Sequence, residues 1–222
     1  MSELRQMLLG TNQRASLEAA TAAYEGQMNS ECLEYLEDRG ITLSVALKAR
    51  LGVVSDPIPG HENYKGRLCI PYLTQSGVVG LKFRDLKNTS RVKYLMPDGQ
   101  RPRLYNVNDL HVFSRYIVIC EGELDALVMS QVVGMPAVGV AGTSMWYPHM
   151  AKLFEDYERV YLVIDNDGTT DEDGEPTKGQ GLARKIGKDV KGTVNIAPPE
   201  GHDINSWYLS EGAEAVRKGV LG

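Results

Sequence analysis

The segment 116-YIVICEGELDALVMSQVVGMPAVGVAG-142 has the pattern of a strand, a helix and a second strand. Tyr116–Cys120 is an apolar run of strand length, Glu123–Val133 suits a helix, and Ala137–Ala141 is a second apolar strand. Strands that are joined through a helix usually lie parallel in one sheet. The segment therefore predicts an α/β fold that is built on a parallel sheet.

The same alternation continues along the chain. The further predicted elements are a helix over 148–157, a strand over 160–164, a helix over about 181–190 and a strand over 193–197. Strands that alternate with helices through short connections are typical of a parallel sheet covered by helices. In such sheets, active sites gather outside the carboxyl ends of the strands.

Acidic residues follow three of the predicted strands. Glu121 follows the first, Asp165 and Asp167 follow the strand 160–164, and Asp203 follows the last, with Asp125 four residues after Glu121. Residues i and i+2 at a strand end point to the same side, so the carboxylates of Asp165 and Asp167 can lie close together. Two like charges about 4 Å apart repel by about 4 kcal/mol when the effective dielectric constant is about 20. A hard cation, Mg²⁺ or Mn²⁺, would relieve that repulsion. A solvated acidic turn explains an Asp165/Asp167 pair alone equally well, and the helix dipole explains Asp125.

An EF-hand is a competing explanation for the acidic run that begins at Asp165. Counting twelve positions from Asp165 places Thr170 where glycine is needed and Pro176 where the bidentate glutamate belongs. The spacing excludes an EF-hand.

Charge is distributed unevenly along the chain, although the net charge is only −5. Residues 61–105 carry nine Lys and Arg against three acids, a net charge of +6, whereas residues 155–175 carry a net charge of −8. This asymmetry suits a phosphate polyanion and divalent cations, but two unrelated solvated faces would look the same.

The residues before the α/β region predict a smaller basic α+β lobe. Residues 16–50 have helical spacing, with Thr42 as the cap of a short helix that ends at Lys48, and residues 67–84 read as a β-hairpin. The predicted organisation is a helical segment over 1–60, the basic lobe over 61–113, the parallel-sheet domain over 114–200 and a helical tail over 201–222.

Composition excludes several classes of protein. No apolar run approaches the ~20 residues that span a bilayer, and Met1–Gly10 is too short and polar for a signal peptide. Cys32, Cys69 and Cys120 are widely spaced and show no CxxC pattern, so we expect reduced, buried cysteines in a cytoplasmic protein without membrane contact.

Four of these stretches resemble, in order, the motifs of the Toprim domain of DnaG-type primases, topoisomerases and some nucleases. They are 118-VICEGELDAL-127, 138-VGVAGTS-144, 162-LVIDND-167 and 199-PEGHDIN-205. The upstream stretches 77-GVVGLKFR-84, Lys93–Leu95 and Leu104–Asn106 are similar to the amino-terminal lobe of the DnaG-type RNA polymerase domain. The form Glu-Gly-Glu-Leu-Asp resembles the primase half of phage and mitochondrial primase–helicase proteins.

The resemblance implies a phage-encoded DNA primase core that joins ribonucleoside triphosphates on single-stranded DNA in the host cytoplasm. It implies that Glu121, Asp165 and Asp167 are catalytic metal ligands, with Asp125 and Asp203 beside them. It also implies that basic residues bind template and nucleotide: Arg67, Lys82, Arg84, Lys93 and Arg103. The acids beyond Gly168 match no family motif and are interpreted as a solvated loop: Asp171, Glu172, Asp173 and Glu175.

Two departures from the family pattern leave alternatives open. Many primases carry an acid two residues after the position of Asp203, where this chain has Asn205. No zinc module and no GxxxxGK[ST] motif occurs in these residues, so a zinc-binding subunit and a replicative helicase are expected on other chains. A Toprim nuclease and a non-catalytic nucleic-acid-binding adaptor are the alternative functions.

Overall fold

A computed structural model of the protein describes residues 9–166 and 177–222. These residues form two compact units. The first comprises the described residues up to Asp38 together with Thr42–Gln100, and the second comprises Arg39–Ile41 together with the described residues from Arg101 to Gly222.

From residue 9 onward, the first unit contains three helices before its sheet. They are α1 (Thr11–Glu25), α2 (Ser30–Glu37) and α3 (Leu43–Lys48). Asn29 caps α2 by accepting a hydrogen bond from the backbone N–H of Cys32 at 2.9 Å. Thr42 caps α3 in the same way through the N–H of Val45, which confirms the predicted cap.

An antiparallel sheet completes the first unit. Its strands, in spatial order, are β1 (Gly52–Val53), β2 (Arg67–Thr74), β3 (Gly77–Asp85) and β4 (Tyr94–Leu95), and a short 3₁₀ helix spans Glu62–Tyr64. The predicted hairpin is confirmed as β2 and β3. Tyr24 of α1 and Phe83 of β3 lie in the core of this unit, with their rings edge to face at a centroid distance of 6.3 Å.

The second unit contains the predicted parallel sheet. Its strands are β5 (Tyr116–Cys120), β6 (Ala137–Gly139), β7 (Arg159–Val163) and β8 (Thr193–Ile196), in the spatial order β6-β5-β7-β8. All three pairings are parallel, and Cys120 lies opposite both Gly139 and Val163. The carboxyl ends of β5, β6 and β7 therefore meet at one edge.

Helices cover this sheet. They are a 3₁₀ helix over Val107–His111, α4 (Glu123–Leu127) with a π-helical continuation over Val128–Val133, a 3₁₀ helix over Pro148–Phe154, α5 (Lys178–Asp189), α6 (Ile204–Glu211) and α7 (Ala213–Leu221). Ile119 of β5, Leu162 of β7 and Ile186 of α5 belong to one buried cluster.

Two helix predictions differ from the structure. The helix expected over 148–157 is a shorter 3₁₀ segment. Helix α5 begins at Lys178 rather than near Gly181, because the side chain of Thr177 caps it by accepting from the N–H of Gln180.

The segment before β5 lies alongside the end of β6. Tyr105 forms an isolated antiparallel bridge with Gly139, with N···O distances of 2.8 and 3.2 Å. The side-chain amide of Asn106 donates to the carbonyl of Ala137 at 2.8 Å. Tyr105 and Asn106 are thereby held alongside β6.

The three cysteines, Cys32, Cys69 and Cys120, are buried and form no disulfide, as predicted. Within the described residues, every helix is too short or too polar to cross a membrane.

Candidate active site

Two carboxylates follow neighbouring strands of the parallel sheet. Glu121 comes directly after β5 and Asp165 follows β7 by two residues, and both are half-buried. Asp125, in the first turn of α4, extends back over Gly122, because its Oδ2 lies 2.7 Å from where a Cβ on Gly122 would be. A side chain at position 122 would therefore displace the Asp125 carboxylate.

The strand register places Glu121 and Asp165 in one region, because Cys120, directly before Glu121, lies opposite Val163, two residues before Asp165. Burial raises the pKa of the Cys120 thiol well above its ordinary value, and the negative charges of Asp125 and Asp165 raise it further. The structure thus brings together two of the acids that the sequence places at this edge.

Helix α5 packs directly on the same edge through Gly179. A Cβ at this position would lie 2.7 Å from Cγ2 of Ile164, 3.0 Å from Oε2 of Glu121 and 3.8 Å from the carbonyl oxygen of Asp165. Only glycine permits this approach, and it places the positive end of the helix dipole next to the carboxylates. Sequence reasoning missed this role of Gly179, although a glycine in the first turn of a helix that follows an acidic motif is a usable signal.

Asp203 lies at the start of α6 and acts as its cap. Its Oδ1 accepts hydrogen bonds from the N–H and from the hydroxyl of Ser206, both at 2.7 Å. The preceding residue, His202, accepts a bond from the N–H of Asn166 at 3.2 Å through its carbonyl. Asp203 is therefore tied to the edge through the backbone, while one of its carboxylate oxygens is engaged in capping.

Asn205 is buried and makes a structural hydrogen bond. It is only 2 % exposed, and its amide nitrogen donates to the carbonyl of Arg39 at 2.8 Å. Its Oδ1 is buried and accepts no hydrogen bond from the described residues. The amide that replaces the acid of many primases thus holds residues 39–41 to α6.

The residues at this edge fit a hard divalent cation by their chemistry. Asp167 lies outside the described residues, and within 9–166 and 177–222 no three His, Cys, Asp or Glu side chains form a group that could hold a metal ion by itself. Mg²⁺ usually binds one or two carboxylates together with water and substrate phosphates. Glu121 and Asp165 are suitable carboxylates for that type of site.

Four of the five predicted basic residues lie in the first unit, and three of them surround one aromatic ring. The Nζ atoms of Lys82 and Lys93 and the guanidinium of Arg84 lie 4.1, 5.9 and 5.2 Å from the ring centroid of Tyr94. Arg84 also donates to the Tyr94 hydroxyl at 2.5 Å. We name Lys82, Arg84, Lys93 and Tyr94 the cation–tyrosine cluster.

Arg67 supports this cluster through the backbone. It is buried in β2 and donates to the carbonyls of Val92 and Lys93 at 3.1 and 3.2 Å. Arg67 thereby fixes the segment that carries Lys93.

Arg103 belongs to the second unit and lies two residues before Tyr105. Its Nε is buried and has no hydrogen-bond partner among the described residues. Burial lowers the pKa of this guanidinium, and the charge of Arg101 lowers it further. Such a cation favours an anionic ligand.

The parallel sheet, its acidic carboxyl edge and the covering helices define a Toprim domain, whose family model matches residues 116–214. The chain is 37% identical over 158 residues to the Gene 57 protein of Mycobacterium phage D29, an alignment that covers 69% of this chain and 97% of that protein. The protein belongs to the family of that phage protein.

Solved structures of primases share the whole fold. The Aquifex aeolicus primase, with its zinc-binding and RNA polymerase domains, superposes with a TM-score of 0.76 at 19% identity over 97% of this chain. A DnaG primase catalytic domain bound to single-stranded DNA superposes with a TM-score of 0.69 at 20% identity, over 96% of this chain and 82% of that one. The protein thus has the fold of DnaG catalytic cores, and it spans 62% of the Aquifex chain.

Proposed function

We propose that the protein is the catalytic core of a DNA primase, which synthesises short RNA primers on single-stranded DNA by metal-dependent nucleotidyl transfer. The observation that carries this proposal is the acidic edge: Glu121, Asp125 and Asp165 at adjoining strand and helix ends, covered by the first turn of α5 at Gly179. This edge lies in a chain with the fold of DnaG catalytic cores.

In this proposal Glu121, Asp165 and Asp167 hold Mg²⁺ or Mn²⁺, and Asp125 and Asp203 support the site. A bound divalent cation would neutralise negative charge on the transferring phosphate and on the departing pyrophosphate. Helix α5 and Gly122 keep the carboxylates close together, so that the site is prepared before substrates bind. Phosphoryl transfer depends mainly on such positioning and charge stabilisation.

The basic residues would bind the phosphates of template and nucleotide. Lys82 and Arg84 are only 3 % and 6 % exposed, so they would act on these phosphates through their charge just below the surface, where water screens it less. The ring of Tyr94 holds these cations in place. Arg103 is proposed to contact phosphate from the second unit, since burial lowers the pKa of a cation that an anionic ligand would stabilise.

The proposed substrates are single-stranded DNA and ribonucleoside triphosphates. One solved structure with this fold is bound to single-stranded DNA, and another includes a zinc-binding domain. A zinc-binding primase subunit and a replicative helicase are the proposed protein partners.

Template-directed dinucleotide synthesis tests the proposal. The wild type is expected to form a dinucleotide whose sequence follows the template in the presence of Mg²⁺ or Mn²⁺. Glu121→Gln and Asp165→Asn should each lower the rate about 100-fold or more, because each removes a charge that the transition state requires. Glu155→Gln, which neutralises an exposed acid of the same unit, is the matched control and should retain the wild-type rate.

Two results would replace the proposal with another function. Cleavage of labelled DNA with Mn²⁺ and without nucleotide consumption would indicate a Toprim nuclease. DNA binding without any uptake of divalent metal would indicate a non-catalytic adaptor.

A further inference from the structure

The middle residue of the Asp165–Asp167 motif is bonded to a second loop at the sheet edge. The side-chain amide of Asn166 donates to the carbonyl of Pro198 at 2.8 Å. Its backbone N–H donates to the carbonyl of His202 at 3.2 Å, and its carbonyl accepts from the N–H of Gly201 at 3.3 Å. Asn166 is therefore attached at three points to the loop after β8.

These bonds join two acidic motifs that are distant in sequence. Asp165 directly precedes Asn166, and Asp203 directly follows His202. The loop after β8 is itself a fixed turn, because the N–H of His202 donates to the carbonyl of Pro199 at 3.0 Å. The separation between Asp165 and Asp203 consequently depends on the attachment at Asn166.

The amide group of Asn166 has a chemical role that few other side chains can fill. Pro198 is a buried residue, and the Asn166 amide supplies the hydrogen-bond donor for its carbonyl. An aspartate at the same position is similar in shape but offers only acceptors at neutral pH. Since successive side chains leave a strand end on opposite sides, the amide of Asn166 can bind Pro198 without taking the space of Asp165.

We propose that Asn166 is a positioning residue for the divalent cation. It fixes the backbone of Asp165 against the loop that leads to Asp203, and so it sets the geometry of the carboxylates before metal binds. This inference rests on the proposed metal-dependent function and extends it to a residue that makes no contact with the ion.

Binding of Mn²⁺ to the protein alone, measured by electron paramagnetic resonance titration, tests this role without any dependence on catalysis. Asn166→Ala removes the bond to Pro198 and should weaken Mn²⁺ binding about tenfold, as is typical when a residue that orients a metal ligand is lost. Asn166→Asp also removes the bond but adds a negative charge. Positioning therefore predicts that Asn166→Asp binds Mn²⁺ no more tightly than wild type.

Matched controls come from Asn195, which is exposed on β8 of the same unit. Asn195→Ala and Asn195→Asp should bind Mn²⁺ as wild type does. At saturating Mn²⁺, Asn166→Ala should recover most of the wild-type rate of dinucleotide synthesis. The Mn²⁺ concentration that gives half-maximal activity should therefore change more than the limiting rate does. A general loss of structure would instead lower the limiting rate and the unfolding temperature of the metal-free protein.

The outcomes separate this inference from the primase proposal. Equal Mn²⁺ affinity in wild type and Asn166→Ala, or tighter binding by Asn166→Asp than by wild type, refutes the positioning role. A wild type that binds Mn²⁺ and cleaves DNA without consuming nucleotides refutes the primase proposal, and the Mn²⁺ affinities of the variants then still decide the role of Asn166. A wild type that takes up no Mn²⁺ refutes both.

Discussion

Replacement of Asn205 by aspartate would restore the acid that many primases carry at this position, and the structure predicts that it destabilises the protein. The Asn205 amide donates to the carbonyl of Arg39 at 2.8 Å from a side chain that is 2 % exposed. Aspartate cannot make this bond when it is ionised, and its oxygens would face the carbonyl oxygen of Arg39. The variant would thus combine a lost hydrogen bond with a buried, unpaired charge.

The expected loss can be estimated from these two effects. An unsatisfied buried polar group costs about 1–3 kcal/mol, and an uncompensated buried charge raises the total to about 3 kcal/mol or more near neutral pH. Asn205→Ala loses the bond without adding the charge, so it should lose about 1–3 kcal/mol. Urea unfolding followed by tryptophan fluorescence is a suitable assay, because Trp146 and Trp207 both lie in the second unit.

The pH dependence distinguishes buried charge from simple loss of packing. Burial raises the pKa of the introduced carboxyl group above its unfolded value, so the folded state binds more protons than the unfolded state between the two values. The stability of Asn205→Asp should therefore rise toward wild type as pH falls through the folded pKa, because the protonated group can donate to Arg39. Asn195→Asp adds the same charge at an exposed site and should unfold as wild type does. An Asn205→Asp variant that is as stable as wild type and binds Mn²⁺ more tightly would refute the reasoning and indicate a ligand position.

Three further predictions concern other parts of the molecule. Gly179→Ala should weaken Mn²⁺ binding in calorimetric titration, because its methyl group would overlap atoms of the acidic edge. Gly181→Ala is the control and should bind Mn²⁺ normally, since a Cβ at this position has no atom within 4 Å. Equal affinities for the two variants would contradict the packing argument. Tyr94→Leu should weaken single-stranded DNA binding in fluorescence anisotropy by about 1 kcal/mol, because it removes the ring that the cations contact. Tyr94→Phe retains the ring and should keep most of the affinity. Similar losses in both variants would exclude the ring as the cause. Burial lowers the pKa of His61, whose Nδ1 lies 2.8 Å from the Tyr24 hydroxyl. Thermal stability should therefore fall as pH drops below about 6.5, the unfolded pKa, toward the lower folded pKa. His61→Gln should flatten that pH dependence.

The sequence predicts the elements at the acidic edge well because they follow from local patterns. Apolar runs of strand length end directly before Glu121 and before Asp165, and the structure places both strand ends side by side. The hairpin of β2 and β3 and the cap at Thr42 are equally local and are confirmed. Periodicity and capping chemistry are sufficient for such features.

The parts that the sequence did not predict depend on contacts between distant residues. Nothing near Asn205 indicates that its amide binds Arg39, 166 positions away. The burial of Lys82 and Arg84 also cannot be predicted from a local pattern, because alternating cations on a strand normally indicate a solvated face. In the structure, both cations contact the ring of Tyr94. The structure shows Asp203 as a helix cap, a role that local sequence reasoning did not assign to it, while its role beside the metal stays a prediction.

The most direct test of the central claim is the ratio of templated dinucleotide formation by wild type to that by Asp165→Asn, with Mn²⁺ and a single-stranded template. The acidic edge of the Toprim domain predicts template-dependent product in the wild type and a ratio of about 100 or more. A ratio near one, with product still formed, would show that nucleotidyl transfer does not depend on this edge and would contradict the mechanism.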